Sequence, residues 1–255
     1  MTTLRDKSNL RLDQALVQRG LCATREKARR AVLAGQALHR GQTANKPSDL
    51  VKPEDDLALT VPERYVSRGG YKLEHGLRHF QLDPRGLTAI DLGASTGGFT
   101  DCLLQNGAAK VFCVDVGRGQ LAWKLRQDPR VVVMERTNAR HLTPRSFPQP
   151  FAGADLVVAD CSFISLRKII PAAVALLGRS GKIIALVKPQ FEAGKAEADR
   201  GAGVIKDPAV HARVLRELRE FLAADPGLLW RGETESPLLG PAGNREFLVL
   251  LEKTS

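Results

Sequence analysis

The stretch from Asp91 to Asp101, Asp-Leu-Gly-Ala-Ser-Thr-Gly-Gly-Phe-Thr-Asp, constrains the fold of this chain more than any other. A short apolar run of buried-strand type, Leu87-Thr88-Ala89-Ile90, precedes it, and a helix-like pattern runs from Phe99 to Leu104. The expected unit is strand, glycine turn, helix. Such a turn presents small residues and free backbone N–H groups to a ligand at the positive end of a helix dipole. Spacing narrows the ligand. A Gly-x-Gly-x-x-Gly turn would cradle a pyrophosphate, whereas the glycines here are Gly93, Gly97 and Gly98, with Asp91 two residues before the first. An acid beside the turn suits amino and sulfonium charges, so the pattern points to S-adenosylmethionine. The expected contacts are Asp91, Gly93, Ala94, Ser95, Gly97, Gly98 and Phe99.

Strands and helices alternate through the rest of the chain. Val111 to Asp115 reads as the second strand, with Asp115 at its C-terminal end, 24 residues beyond Asp91, where an acid commonly binds ribose hydroxyls. Gly117 to Arg126 supplies a turn and helix, and Val131 to Met134 the third strand. Thr137-Asn138-Ala139-Arg140 follows, making Asn138 a candidate adenine-side contact. Strand four is Ala154 to Asp160, with a helix to about Leu177, and strand five is Lys182 to Val187. Ala193 to Ile205 lacks periodicity and reads as a mobile substrate loop. A helix over Pro208 to Ala224 and a hairpin of Leu228–Glu233 with Phe247–Leu251 complete the chain. This order predicts a Rossmann-like α/β fold: a mostly parallel sheet covered on both faces, with an antiparallel last strand. Asp91, Asp115, Asp160 and Lys188 would all lie at strand C-terminal ends.

The first sixty residues read as a separate α+β module. Leu12, Ala15 and Leu16 form a helical stripe broken at Gly20; a second helix starts after Thr24, a plausible N-cap, and stops at Gly35. Ala28, Ala31 and Val32 face inward, so Arg25, Lys27, Arg29 and Arg30 project outward. The formal net charge of the chain is +10. Residues 1–46 hold ten basic residues against three acids, leaving seven of those positive charges in a small segment. Charge so crowded, with few acids at i,i+4 to neutralise it, points to nucleic acid. The expected boundaries are 1–61 for this module, 62–66 for a linker opened by Pro62, and 67–255 for the larger domain.

No stretch approaches the 18 or so apolar residues of a membrane helix, and no signal-peptide core is present, so a cytoplasmic protein is expected. Cys22, Cys102, Cys113 and Cys161 have neither paired nor metal-ligand spacing and read as free thiols, with no metal.

Which atom accepts the methyl group depends on residues beyond the turn. Methylation of base amino groups usually wants Pro-Pro-aromatic after strand four, and carbon methylation of cytosine wants a Cys after a Pro; this chain has Asp160-Cys161-Ser162-Phe163. Both are weakened. What remains is Lys72, Asp160, Lys188 and Glu246, a set that resembles the Lys-Asp-Lys-Glu tetrad of FtsJ-type ribose 2′-O-methyltransferases. The N-terminal module resembles the RNA-binding domain named after ribosomal protein S-four, through Arg11-Leu12-Asp13, Thr24-Arg25-x-x-Ala28 and Ala34-Gly35-Gln36-Ala37-Leu38. Together with Ser67-Arg68-Gly69-Gly70, Lys188-Pro189-Gln190-Phe191-Glu192 and Gly243-Asn244-Arg245-Glu246-Phe247, the chain resembles the TlyA family, often labelled haemolysin A. The resemblance implies an enzyme acting on cytidine ribose in 16S or 23S ribosomal RNA, with S-adenosylmethionine as donor. Lys188 would accept the proton or orient the hydroxyl, Asp160 would position that lysine and the donor, and Lys72 and Glu246 would support the ribose. Arg11, Arg25, Lys27, Arg29, Arg30 and Arg68 are the expected RNA contacts. Two alternatives are a non-catalytic assembly factor and a cytolysin; the second predicts a membrane-inserting stretch or disulfides, and neither is found in the sequence.

Overall fold

The computed structural model describes residues 9–60, 64–194, 197, 199 and 201–254. The chain divides into two compact units, Met1–Arg64 and Tyr65–Ser255. Of the expected linker, residues 62 and 63 lie outside the described residues.

In the smaller unit, β1 (Leu10–Arg11) is followed by α1 (Leu12–Gln18) and α2 (Arg25–Leu33). Gly20 turns the chain after α1 at φ +73°. The Thr24 hydroxyl caps α2 by accepting from the Lys27 N–H at 3.2 Å. β2 (Ala37–His39), β3 (Gln42–Thr43) and β5 (Leu57–Leu59) form a three-stranded sheet, while β4 (Leu50–Val51) pairs with β1. Leu12, Ala15 and Leu16 of α1 pack on Ala28 and Val32 of α2 and on Ala37, Val51 and Leu57. The β1–β4 ladder and β3 were not expected from the sequence, because two residues carry no periodicity.

The larger unit is a seven-stranded sheet built from β6 (Thr88–Leu92), β7 (Lys110–Val114), β8 (Val131–Met134), β9 (Ala154–Ala159), β10 (Leu177–Val187), β11 (Leu228–Glu235) and β12 (Phe247–Lys253). Its order is β11-β12-β10-β9-β6-β7-β8, with β6 to β10 parallel and the β11/β12 hairpin joined antiparallel through β12. Alternate residues of each strand serve opposite faces. Ala89, Val111, Val158 and Ile184 pack under α3 (Gly69–His79), α4 (Gly98–Gln105) and α5 (Trp123–Arg126). Ile90, Phe112, Val157 and Ile183 pack under α6 (Ile170–Leu176) and α8 (Pro208–Ala223). A short α7 (Pro189–Glu192) follows β10.

The chain winds one way from β6 to β8 and the other way through β9 and β10, so the order reverses between β6 and β9. A crevice opens at such a reversal, at the strand C-terminal ends.

Several boundaries differ from expectation, including the following three. β6 runs two residues further, through Asp91, which pairs across to Cys113 and Val158. A central strand thus buries Asp91 instead of leaving it in the loop. Of the turn and helix over Gly117 to Arg126, only the last four residues are helical. β10 begins at Leu177, where a helix was expected to end, and its register against β9 breaks before Lys182. The expected loop Ala193 to Ile205 includes residues 195, 196, 198 and 200, which lie outside the described residues. Among the described residues no helix is long and apolar enough to cross a membrane. The four cysteines are free thiols, Cys102 and Cys113 buried, Cys22 and Cys161 partly so.

Candidate active site

Two clefts open where β6 and β9 diverge, and Gly93, Ser95, Asp160 and Ser162 line both. The larger, about 820 Å³, extends over Asp115, Asn138, Ile164 and Lys168. The smaller, about 270 Å³, is walled by Arg68, Lys72, Asp91, Ala94, Gly98, Phe99, Lys188 and Glu246.

The glycine turn is shaped from beneath. Gly93 has φ +80°, and a Cβ there would sit 2.8 Å from the Asp160 carbonyl oxygen, so the turn presses directly on the end of β9. Gly97 lines neither cleft; it caps α4 at φ +96°, over Leu121 and Leu125. Most of the expected free N–H groups are in use. Gly93 and Ala94 donate to the Val114 carbonyl, Gly97 donates to that of Ala94, and Ser95 donates to Asp115 Oδ2 at 2.8 Å. The start of α4, at Gly98 and Phe99, and the start of α3, at Gly69, both face the smaller cleft as helix N-termini.

Asp91 is 1% exposed. Its Oδ2 accepts from the Thr100 N–H at 3.0 Å and the Thr100 hydroxyl at 2.7 Å, while Oδ1, buried beside the smaller cleft, has no hydrogen-bond partner among the described residues. Burial, and after it the charges of Asp160 and Asp115, push this carboxyl up to about 7 against the opposing Thr100 bonds. An orphaned buried acceptor fits an incoming ammonium group. Asp115 accepts one backbone N–H on each oxygen, from Ser95 and from Gly117 at 2.7 Å, and keeps lone pairs for hydroxyls. The Asn138 side-chain oxygen accepts from the Arg140 N–H at 3.1 Å, so its amide nitrogen is the end left for a ligand.

The four tetrad residues gather as two ion pairs. Lys72 Nζ lies 2.5 Å from Glu246 Oε2, with both residues buried. Lys188 Nζ lies 2.6 Å from Asp160 Oδ1, a charge contact whose angles miss those of a hydrogen bond, and donates to Ser162 Oγ at 2.8 Å. Each lysine therefore has a carboxylate of its own. The loop that follows Asp160 is held across from Lys188: Glu192 accepts from the Ser165 hydroxyl at 2.7 Å and the Leu166 N–H at 2.6 Å. Burial raises the Glu192 carboxyl. Burial likewise pushes the Cys161 thiol up to about 12, which leaves no thiolate for attack on a base carbon.

Arg68 stands exposed at the start of α3 and lines the smaller cleft. Of the two glycines that follow, Gly69 also lines the smaller cleft, while Gly70 packs on Tyr65, whose ring would lie 2.2 Å from a Cβ there. In the smaller unit, Arg11 and Arg25 both reach the buried Asp13 at 3.1 Å, and Arg30 pairs with Glu26 at 2.5 Å. The shortage of neutralising acids expected there holds for Lys27 and Arg29, which are exposed. Among the described residues no three His, Cys, Asp or Glu side chains gather as a metal site.

The FtsJ-like methyltransferase family matches residues 65–253. The chain belongs to that family. The S4 domain matches residues 10–57, so this member carries an RNA-binding unit ahead of its methyltransferase domain. It is 48% identical to the 16S/23S rRNA (cytidine-2′-O)-methyltransferase TlyA of Mycobacterium tuberculosis, over 94% of this chain and 89% of that protein. The provisionally named rRNA methyltransferase YqxC of Bacillus subtilis is 50% identical over 94% of this chain and 85% of its own. A solved structure from Streptococcus thermophilus, provisionally called a hemolysin, superposes with a TM-score of 0.73 at 43% identity, covering 98% of this chain and 90% of that one.

Members of this methyltransferase class use S-adenosylmethionine, and the orphaned Asp91 oxygen, the tight turn at Gly93 and the hydroxyl-binding geometry of Asp115 fit that molecule. The sequence reading missed Ser162, Gln120 and Thr100. Ser162 could have been noticed only from its place two residues beyond Asp160. Gln120, which accepts from the Ser95 hydroxyl at 3.3 Å, and Thr100 carry no signal short of the folded turn.

Proposed function

We propose that this protein transfers a methyl group from S-adenosylmethionine to the ribose 2′-hydroxyl of a cytidine in ribosomal RNA. The observation that carries the reading is the pair of lysine–carboxylate contacts at the mouth of the glycine turn, Lys188–Asp160 and Lys72–Glu246. The rRNA methyltransferase relatives support the substrate class, and a ribosomal substrate puts the work in the cytoplasm.

Asp91 would hold the donor's ammonium group, Asp115 its ribose hydroxyls and Asn138 its adenine, with Gly93, Ala94, Ser95, Gly98 and Phe99 shaping the path between them. When bound, S-adenosylmethionine supplies a methyl group activated by its sulfonium. The chain's own residues must bring an acceptor oxygen in line with that methyl and take up its proton. Lys188, once its ammonium has given up a proton to solvent, would receive the acceptor's proton at Nζ as the oxygen–carbon bond forms. Asp160 fixes the lysine, and the Lys72–Glu246 pair supports the acceptor ribose. Arg68 would meet a phosphate beside the cleft, while Lys27 and Arg29, with Arg11, Arg25 and Arg30, bind RNA on the small unit.

The test is transfer of labelled methyl to ribosomal subunits, followed by nuclease mapping of 2′-O-methyl sites, with Lys188→Ala alongside. Transfer that falls at least ~100-fold in Lys188→Ala supports the reading. A donor that binds with no ribose methylated on either subunit would leave an RNA-binding assembly factor as the better account.

A further inference from the structure

Ser162 has no place in the tetrad, yet it accepts a hydrogen bond from Lys188 at 2.8 Å and lines both clefts. Given the methyl-transfer reading above, we propose that Ser162 is a positioning residue that sets the rotation of the Lys188 amine. A lysine amine turns freely about its Cε–Nζ bond. To accept a proton, it must aim its single lone pair at the acceptor oxygen, and one neighbour cannot fix that direction.

Two neighbours can. In its neutral form Nζ carries two N–H bonds; Ser162 Oγ takes one and Asp160 Oδ1, 2.6 Å away, attracts the other. The lone pair is then left with one direction, away from both partners. Asp160 alone would leave the amine free to turn about the line joining the two groups, since a single contact fixes a single direction. Ser162 is itself held in place. Its loop begins against the turn at Gly93, includes Phe163 at φ +64°, and is tied at its far end through Ser165 and Leu166 to Glu192, four residues beyond Lys188. The hydroxyl and the amine thus belong to one braced assembly.

The experiment compares Ser162→Ala and Ser162→Thr with the unaltered full-length protein, on purified ribosomal subunits at saturating S-adenosylmethionine. Ser162→Ala is expected to lower kcat roughly 10- to 100-fold while leaving the KM for RNA and the Kd for S-adenosylmethionine within about threefold. Ser162→Thr, which keeps the hydroxyl, is expected to recover kcat to within about fivefold of the unaltered protein. A kcat for Ser162→Ala within about threefold of the unaltered protein overturns the proposal, and so does an equal loss in both variants accompanied by weakened donor binding. An unaltered protein that binds donor and transfers no methyl overturns the methyl-transfer reading and this proposal with it; transfer by Ser162→Ala within about threefold of the unaltered rate overturns this proposal alone.

Discussion

Asp91 is a carboxyl group that folding has taken out of water without giving it a counter-charge. Its pKa of about 7 lies above the ordinary carboxylate value, so the folded chain binds a proton that the unfolded chain releases. Asp91 therefore makes the ligand-free protein less stable as pH rises from about 4 to about 7, with no further loss from this group above that. Ligand binding should run the opposite way. Affinity for S-adenosylmethionine is expected to rise between pH 6 and 8, as the carboxylate becomes available to an ammonium, and titration calorimetry at the two pH values checks it. In Asp91→Asn the rise should disappear, affinity at pH 8 should fall roughly 10- to 100-fold, and the ligand-free thermal transition at pH 8 should not drop. Gly93 supplies a second expectation at this scale. Gly93→Ala combines a positive φ with a Cβ 2.8 Å from a backbone oxygen, and strain of this kind costs about 1–3 kcal/mol. Its melting temperature should fall and its donor affinity with it.

The turn between β4 and β5 depends on one side chain. Asp55 accepts from the Lys52 N–H at 2.9 Å, from His39 Nε2 at 2.7 Å and from Arg40 at 2.6 Å, and Arg19 donates to the Asp55 carbonyl. The Lys52 bond, then His39 and Arg40, hold the carboxyl well below its usual range. Because the folded value is depressed, the stabilisation is present above the unfolded pKa near 3.9 and disappears as pH falls below it. Asp55→Asn is expected to lower the unfolding temperature of the smaller unit at pH 7, and the gap from the unaltered protein should narrow as pH is taken below 4, as followed by circular dichroism. At the same scale, β6 shows why element boundaries escaped the sequence. Asp91 reads as a loop acid because isolated carboxylates avoid strands, yet two flanking strands and the Thr100 hydroxyl made a strand position tolerable.

At the scale of the whole molecule, the RNA contacts proposed for the smaller unit and the proposed methyl-transfer site belong to different compact units, and their energetics should separate. Phosphate contacts release counterions, so RNA affinity should fall linearly on a log–log plot against salt. The double variant Lys27→Ala/Arg29→Ala is expected to weaken binding to ribosomal subunits and to reduce the magnitude of that slope by about 2, while the Kd for S-adenosylmethionine is unchanged. Filter binding at several salt concentrations, beside calorimetry of the donor, measures both.

The alternation of apolar strands with helical patterns, and the glycine spacing after Asp91, were enough to predict the parallel sheet and its glycine turn, because burial periodicity and backbone sterics act locally. Thr24 as a cap and Gly20 and Gly35 as turn residues were legible for the same reason. The tetrad was legible only by resemblance. Its four residues are separated by as many as 174 positions, and no local rule pairs Lys72 with Glu246. Tertiary structure decided that the tetrad forms two ion pairs and that Asp91 keeps one oxygen without a partner. It also set Ser162 against Lys188, where the ends of β9 and β10 meet. Such contacts are decided by side chains brought together from distant strands, at distances of a few ångströms that sequence spacing does not encode.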